Sequence, residues 1–553
     1  MPINLDVGRG SLRAKFACGS ALAALMSLLQ PSTAYGQDSE GKNAEVEGVS
    51  TTPGEIIVTA QRRSEKAQNV GIAIAAFSGD TLKERGVATS SDIAALTPGV
   101  NLSGTYGGQS VQFSIRGVTQ SDFNDAIEGP VAVYVDDIYI ASQQGQSMAL
   151  FDLARVEALK GPQGTLFGRN ATGGLVHMVV QTPKLAVMEG HLDASYGRFD
   201  TTSVDGAINI PLGNSVALRA SGAWNYNGAM WRNVFPAGNN PAAIQSFIPR
   251  TSPQGQDLGR KDSLSGRLQL LAEVAPDWRI RLSVSGTRQR FSESPWASSV
   301  ATPVVDAFGN VVNTVRTGPN DTRSVIGADG NNYFNPAIFA FQAFQQGNGP
   351  IFAPTGASMT RFPGATWFGY TPVDINKRQL SKDYALSNLN RFDAYSFSGH
   401  LDGKVGNSDL TLISGYNRYK KTFLLDADSS PGNVFTFGNK ADIQTFSTEL
   451  RLSHNAPGLN WQAGLYYLHD NAFNAQGILG PTGSYFALVF ELPPAAGGFG
   501  IPGALANGID PLAVFRLKTN SYSAFGQINW EFAPKFTVVL GGRCPPSAPM
   551  AQI

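Results

Sequence analysis

The chain has 553 residues, and its 42 basic residues balance 42 acidic ones, so its charge gives no argument for nucleic-acid binding. Only 15% of the residues are charged, against ~25% in ordinary soluble domains, yet there are 61 glycines and 10% aromatics. That combination suits a β-rich membrane protein whose apolar character is spread along alternating strands, and the length suffices for two domains.

At the N-terminus, Arg9, Arg13 and Lys15 precede an apolar run from Phe16 to Leu29, and Ala34-Tyr35-Gly36 offers a small-residue cleavage site before Gln37. Residues 1–36 therefore read as a secretory signal peptide. The apolar run is shorter than the ~20 residues that cross a bilayer, and no other run in the chain reaches that length. Cys18 lies at the start of the run, not its end, which argues against a lipoprotein anchor. Cleavage leaves only Cys544, so neither an intramolecular disulfide framework nor a cysteine zinc site is expected.

Residues 37–66 read as a leader, polar and poor in large apolar side chains from Asp38 to Pro53. Within it, Glu55-Ile56-Ile57-Val58-Thr59-Ala60 is a β-branched run on a loose tether. Such a run suits addition to the sheet edge of a partner, where main-chain hydrogen bonds supply affinity, although an ordinary edge strand would look the same.

From 67 to 184 short strands mix with a helical segment around Ser90 to Leu96, an α+β pattern. Its landmarks are Leu96-Thr97-Pro98-Gly99-Val100, Ile115-Arg116-Gly117 and Val133-Tyr134-Val135-Asp136-Asp137. Asp136 and Asp137, as adjacent strand residues, would point to opposite faces and share no ligand, so turn and wall roles are expected. A longer motif follows: Arg155-Val156-Glu157-Ala158-Leu159-Lys160-Gly161-Pro162-Gln163-Gly164-Thr165-Leu166-Phe167-Gly168-Arg169-Asn170-Ala171-Thr172-Gly173-Gly174. Five glycines in fourteen residues could cradle a phosphate, but a P-loop needs Gly-Lys-Ser or Gly-Lys-Thr at a helix start, and neither occurs. Tight turns packing one compact domain account for them.

In this order, these motifs resemble the plug domain of TonB-dependent outer-membrane receptors. The resemblance implies structural roles for Arg116, Gly117, Asp136, Gly161, Pro162, Gly164, Gly168, Arg169, Asn170, Gly173 and Gly174. It also implies that Glu55, Ile56, Ile57, Val58, Thr59 and Ala60 are the TonB box, the segment handed to TonB. Fewer than twenty residues separate Gln37 from Glu55, which implies a transporter without the extra domain of the family's signalling members. Beyond Gly174 the family continues with alanine, an aliphatic residue and asparagine, whereas this chain reads Leu175-Val176-His177-Met178. His177 is a departure.

After Lys184 the pattern changes to period two: Leu459, Trp461, Ala463, Leu465 and Tyr467 alternate with Asn460, Gln462 and Gly464, as a strand between lipid and lumen requires. Eleven strands are expected, at 189–199, 201–211, 215–226, 263–274, 277–290, 393–405, 408–422, 442–454, 459–469, 521–532 and 535–543. Short links alternate with long excursions around 227–262, 291–392, 422–441 and 470–520, the rhythm of periplasmic turns and outer loops. A soluble β-sandwich would alternate too, but a structureless stretch of ~100 residues counts against one. The fold class is thus mainly β: an α+β plug, then an incomplete transmembrane antiparallel barrel over 185–543, about 11 of the ~22 strands of plugged transporters. Residues 544–553 leave the pattern at Cys544-Pro545-Pro546, which a frameshift or premature stop would explain.

No catalytic residue, metal site or cofactor is expected. No Gly-x-Ser-x-Gly elbow occurs, and His177, His191, His400, His454 and His469 lack metal-ligand spacing. The reading is a receptor in the outer membrane of a Gram-negative bacterium that imports a scarce nutrient such as a ferric siderophore. Its partners would be TonB, the lipid bilayer and the small nutrient ligand, with no nucleic acid. The alternatives are a non-transporting plug and half-barrel and, below it, a passive porin or adhesin. Aromatics crowd the longest outer loop, among them Tyr333, Phe334, Trp367, Phe368 and Tyr370. They either pack among themselves or form a vestibule for a bulky chelate.

Overall fold

The structure is a computed structural model. It describes residues 56–544 except 106–109, 121, 123, 147–148, 236–256, 293–294, 296–300, 307, 309, 317–324, 332–356, 361–374, 383–389, 428–435, 481, 497 and 535. The signal peptide, most of the leader, Glu55, the out-of-pattern tail beyond Cys544 and the five named loop aromatics lie outside the described residues.

The N-terminal part begins with β1 (Ile57–Val58) paired to β2 (Glu65–Lys66). There follow β3 (Ala73–Ser78), α1 (Gly79–Glu84), α2 (Ser90–Leu96), β4 (Val100–Thr105), β5 (Ser110–Ile115), β6 (Val131–Val135), β7 (Ile138–Tyr139), β8 (Leu153–Lys160), α3 (Gly164–Phe167) and β9 (Gly174–Val180). The start of α2 is fixed locally: the Asp92 carboxylate accepts the Thr89 N–H at 2.8 Å, satisfying a donor the helix leaves unpaired. The strands form a mixed five-stranded sheet in the order β3-β8-β9-β6-β7, with only β6 and β9 parallel. Successive residues of a strand face opposite sides. Val133, Val156, Val176 and Met178 accordingly pack with Ile93, Phe113 and Ile115, while Ala132, Tyr134, Leu159 and Leu175 pack with Val58 and Phe167.

The C-terminal part is a sheet of eleven long strands, every neighbouring pair antiparallel and the neighbours in chain order, with short strands intervening only after the third and after the fifth. They are β10 (Glu189–Gly197), β11 (Thr201–Pro211), β12 (Val216–Asn227), β14 (Lys261–Ala275), β15 (Trp278–Phe291), β21 (Asn390–Val405), β22 (Ser408–Asp426), β23 (Thr436–Ala456), β24 (Leu459–Leu479), β25 (Ala513–Ala533) and β26 (Phe536–Cys544). The intervening numbers belong to short outer strands: β13 (Arg232–Asn233), β16 (Ala301–Asp306), β17 (Val311–Arg316), β18 (Val325–Gly327), β19 (Ala357–Thr360) and β20 (Gln379–Leu380).

Register shows the two faces. Leu268, Val284, Phe397, Tyr416 and Phe446 are successive cross-strand neighbours on the outer face. One residue further along, Gln269, Ser283, Ser398, Gly415 and Ser447 form the inner row. Phe397 is 53% exposed and Gln269 is 1% exposed, so the apolar row faces outward and the polar row faces the plug-like domain. A contiguous outer apolar band over a polar inner wall is the arrangement of a lipid-facing sheet. No helix among the described residues is long and apolar enough to span a bilayer; the long elements are strands.

All eleven expected strands are present, and two corrections concern their outer ends. β22, β23, β24 and β25 extend the ladder to Asp426, back to Thr436, on to Leu479 and back to Ala513, shortening the excursions expected at 422–441 and 470–520. Above the apolar band the ladder continues in water, where apolar alternation is not demanded and the sequence signal disappears. Nor is 291–392 structureless: β17-β16-β19-β18 form a four-stranded sheet there, and β20 pairs with β13. The excursion after β24 also holds α4 (Tyr485–Glu491) and α5 (Ala504–Asn507).

Because eleven is odd and every pair is antiparallel, β10 and β26 at the two edges run in the same direction. They cannot close on each other as antiparallel neighbours, and an edge in hydrocarbon leaves backbone groups unsatisfied at several kcal/mol each. The 553-residue chain alone is therefore expected to give no heat-modifiable, protease-resistant barrel in outer-membrane fractions. Gel mobility before and after boiling checks this, and a boiling-sensitive compact band would contradict it.

Candidate functional site

The segment expected to be a loose coupling strand is docked from Ile56 onward. Val58 and Ala60 are buried, packed with Val70, Leu159, Leu166, Phe167 and Leu175. Thr59 is held by both ends: its N–H and its hydroxyl donate to Glu157 Oε1 at 2.8 and 3.1 Å. Arg155 donates to the same carboxylate at 2.7 Å and to the Thr59 hydroxyl at 3.1 Å.

Three residues on, Arg62 takes a left-handed φ of 60° and buries its guanidinium beside Asp137 Oδ1 at 2.5 Å and Glu449 Oε2 at 3.5 Å. It also lies 4.3 Å from the centroid of the Phe167 ring, a cation–π contact. Burial alone would raise the Asp137 carboxyl, but the Arg62 guanidinium, backed by His177 and Arg451, holds it well below the usual carboxylate range. Gln61 joins the wall through its carbonyl, which accepts from Gln462 Nε2 at 2.9 Å.

The motif residues form turns. Asp136 and Asp137, with φ of 53° and 67°, are the two central residues of the β6–β7 hairpin rather than strand neighbours, which corrects the geometry expected for them. They still diverge: Asp136 pairs with Arg281 of β15, whereas Asp137 faces Arg62 and, at 3.6 Å, His177. Arg116 and Gly117 make a second such turn between Ile115 and Val118, with Arg116 exposed and lying against Gly161. The glycine-rich stretch is pinched shut, the Gly161 N–H donating to the Gly173 carbonyl at 3.0 Å and the Gln163 N–H to the Ala171 carbonyl at 2.8 Å. Pro162 and Gly164 remain exposed at its tip. Gly173 donates its N–H to the Pro130 carbonyl at 3.1 Å. Gly174 has φ of 141°, and a Cβ there would sit 2.2 Å from the Leu159 carbonyl oxygen, so no other residue fits. Gly168, also at positive φ, closes α3.

Arg169 and Asn170 end that loop in a polar knot. Arg169 reaches Glu128 Oε1 at 3.0 Å, Asn170 donates to the Tyr139 hydroxyl at 2.8 Å, and that hydroxyl donates to Glu128 Oε2 at 3.0 Å. Burial pushes the Glu128 carboxyl up to about 7 against the pull of Arg169, with Asp470 of the wall adding to the rise.

Further contacts fasten this domain to the inner wall at several heights. Arg219 of β12 grips Asp152 through two bonds of 2.8 and 2.5 Å, Lys421 of β22 meets Asp125 at 3.1 Å, and Asn474 of β24 donates to Asn124 at 2.7 Å. Wall aromatics Phe392, Tyr419, Phe423 and Phe437 join the domain's own apolar cluster. Sequence reading missed Arg62, Asp125, Asp152, Arg219 and Lys421; nothing local marks partners 67 to 296 residues apart.

Two other groupings occur among the described residues. His191, Asp193 and Asp205, on paired strands β10 and β11, bring ligand-type atoms within 4.8 Å of one another, a convergence that spacing along one strand does not reveal. The Lys83 ammonium sits 3.0 Å from Asp193 and already supplies a cation. In the outer excursion, Phe490 stacks on Phe499 with centroids 4.6 Å apart and meets Phe486 at a tilt, 4.9 Å away.

Residues 66–175 match the TonB-dependent Receptor Plug Domain family. They are a TonB-dependent receptor plug. The pesticin receptor of Yersinia enterocolitica is 33% identical over 163 residues, covering 29% of this chain and 22% of that protein. The vitamin B12 transporter BtuB of Vibrio vulnificus is 26% identical over 155 residues, covering 27% and 24%. Among solved structures, the ferric yersiniabactin uptake receptor FyuA from Yersinia pestis superposes with a TM-score of 0.56 at 17% identity, covering 86% of this chain and 57% of that one. The ferripyoverdine receptor of the Pseudomonas aeruginosa outer membrane gives 0.53 at 13% identity, covering 90% and 55%. The chain thus spans little more than half the length of the solved receptors, and its match covers under a quarter of the curated relatives. Plug and eleven-stranded sheet together have the fold of TonB-dependent receptors, and the relatives are named as receptors and transporters rather than enzymes.

The plug's polar knot carries a pH prediction. Unfolded, Glu128 loses its proton near the ordinary 4.5; folded, it keeps it to about 7. The stability this contributes is present below 4.5 and is lost as pH rises through 7, on the order of 3 kcal/mol. Hydrogen exchange of amides 164–174, corrected for intrinsic rate, should show protection falling between pH ~5 and ~8 in the parent and a flatter profile in Glu128→Gln. Identical profiles for the two would exclude the assignment.

Proposed function

We propose that the chain is a TonB-coupled receptor for active uptake of a scarce nutrient, of the ferric siderophore class, at the outer membrane of a Gram-negative bacterium. The observation that carries this reading is the docked N-terminal segment. A β-branched strand edge is held on the plug by one buried carboxylate at Thr59 and one buried guanidinium at Arg62, and it meets the polar wall through Gln61 and Arg62. Releasing it requires breaking those polar contacts and withdrawing Val58 and Ala60 from their apolar cluster, after which residues 55–60 offer main-chain groups to a partner's sheet edge. The partner is TonB, the surrounding solvent of the apolar band is lipid, and the ligand enters from the loop side. Tyr333, Phe334, Trp367, Phe368 and Tyr370 remain the proposed ligand contacts, with no cofactor, metal or catalytic group required.

A second reading rests on the open sheet. With the outer edges of β10 and β26 left without a neighbouring strand among the described residues, the 553-residue chain folds a plug and a partial wall but transports nothing by itself.

The coupling assignment is tested at Ile57, since Val58 is buried and its loss would damage the plug. In a closed-barrel receptor carrying this plug, Ile57→Pro removes a main-chain donor and should abolish uptake while ligand affinity changes by less than about twofold. Uptake at the parental rate would overturn the assignment of residues 55–60.

A further inference from the structure

The outward face of the wall turns basic near the outer ends of β15, β21, β22 and β23. Arg290 gives both terminal nitrogens to Asp393, at 2.8 and 3.2 Å, and Arg418 grips Asp442 through bonds of 3.0 and 2.8 Å. With those two carboxylates occupied, Arg391, Lys420 and Lys440 stand exposed with no ion pair of their own among the described residues. Register sets the three cations around one hydroxyl. Arg391 and Lys440 lie on either side of Thr422, and Lys420 lies two residues from it on the same face. The backbones of Arg391 and Lys440 are thus about 10 Å apart, two strand spacings. Arg391 is also directly opposite Arg290, a like-charge pairing that costs the sheet stability.

Below this cluster, on the same strands, the apolar band holds a groove. Its cavity of about 630 Å³ is lined by Leu268, Leu282, Val284, Phe397, Tyr416 and Phe446. Gly399 also borders it, and a Cβ there would meet only Leu282, at 3.4 Å, so the groove is open at that point. Tyr416, at the upper end of the groove, and Lys420 are four residues apart on the same face of β22, ~13 Å along the strand.

We propose that the cluster and the groove are the two halves of one site for a phosphate-bearing lipid of the surrounding leaflet. This rests on the reading that the apolar band lies in lipid. The headgroup phosphate accepts charge-assisted bonds from Arg391, Lys420 and Lys440 and a bond from the Thr422 hydroxyl, while an acyl chain lies in the groove among Leu282, Phe397 and Phe446. A free phosphate ion would satisfy the cations and leave the groove unfilled; a neutral lipid would do the reverse. A bound headgroup bridges β21, β22 and β23 and cancels the repulsion between their cations, which steadies the wall at its outer ends.

The test uses the full chain in dodecyl maltoside micelles, with binding of dioleoyl phosphatidic acid, dioleoylglycerol and inorganic phosphate read by native mass spectrometry. Phosphatidic acid should bind at least about tenfold more tightly than either of the others. The triple variant Arg391→Gln, Lys420→Gln, Lys440→Gln should lose about tenfold in affinity for it. The charge-preserving triple Arg391→Lys, Lys420→Arg, Lys440→Arg should stay within about threefold of the parent, which reports that the wall is intact. Gly399→Leu, which fills the groove, should cost about fivefold. Lys184→Gln, Arg279→Gln, Lys404→Gln removes three exposed cations from the opposite end of the wall and should change affinity by less than about twofold. Undiminished binding in the glutamine triple or in Gly399→Leu overturns the site, and so does an equal loss in the charge-preserving or the far-end variant. Dioleoylglycerol or inorganic phosphate binding as tightly as the phospholipid overturns it too. Because the readout is lipid binding in detergent, the site can fail while the coupling assignment stands, and the reverse.

Discussion

Backbone N–H and C=O groups cannot be left unpaired in hydrocarbon, and most of this structure follows from that constraint. It makes the wall an antiparallel ladder, and the ladder's pleat sends every second side chain outward. Lipid on one side and a filled lumen on the other then require opposite chemistry at adjacent positions. The pair Leu268 and Gln269 shows this within a single strand, one 48% and the other 1% exposed. The same constraint gives the sheet its open problem, because a ladder of eleven antiparallel strands has two edges running the same way.

A polar inner wall in turn decides how the plug is held. Apolar packing against the wall gathers at Phe392, Tyr419, Phe423 and Phe437, at Leu468 and Phe525, and at Ile443 and Ala472, and much of the remaining attachment is ionic or amide: Arg219 to Asp152, Arg281 to Asp136, Lys421 to Asp125, Arg62 to Glu449. Such buried pairs add little net stability, since desolvation offsets most of their attraction, but each is costly to mispair and so fixes register between plug and wall. They also lose strength once water reaches them, as the proposed coupled uptake would require of a plug. The docked segment uses the same chemistry on a smaller scale, with Thr59 and Arg62 as its two polar anchors.

What the sequence made legible and what it hid divide along physical lines. The strands could be read because lipid and lumen impose period two on every one of them. Their outer extensions could not, since beyond the bilayer residues such as Lys440 and Asn474 keep the ladder without the apolar alternation. The glycine motif was readable because close approach at Gly174 and reversed φ at Gly168 admit few other residues. Asp136 and Asp137 were placed on a strand because a two-residue turn with both φ positive usually advertises glycine or asparagine, and here it does not. The ion pairs were invisible for a different reason. Lys421 and Asp125 lie 296 residues apart, and neither carries a local signal that it will be buried. His177 was noticed only as a departure; its position between Glu157 and Asp137 needed the β8–β9 pairing and the hairpin turn together.

The central claim is that this plug sits against the inward face of the strand wall in the register described, and thiol crosslinking across that interface tests it most directly. In membranes or detergent, a short bis-maleimide should crosslink the double variant Asp125→Cys, Lys421→Cys rapidly, since the native side-chain tips meet at 3.1 Å and the reagent spans the length lost with the lysine. The pair Asp125→Cys, Lys420→Cys should not, because Lys420 is one residue away and points to the other face. Equal crosslinking of both pairs, or of the Lys420 pair alone, would contradict the account.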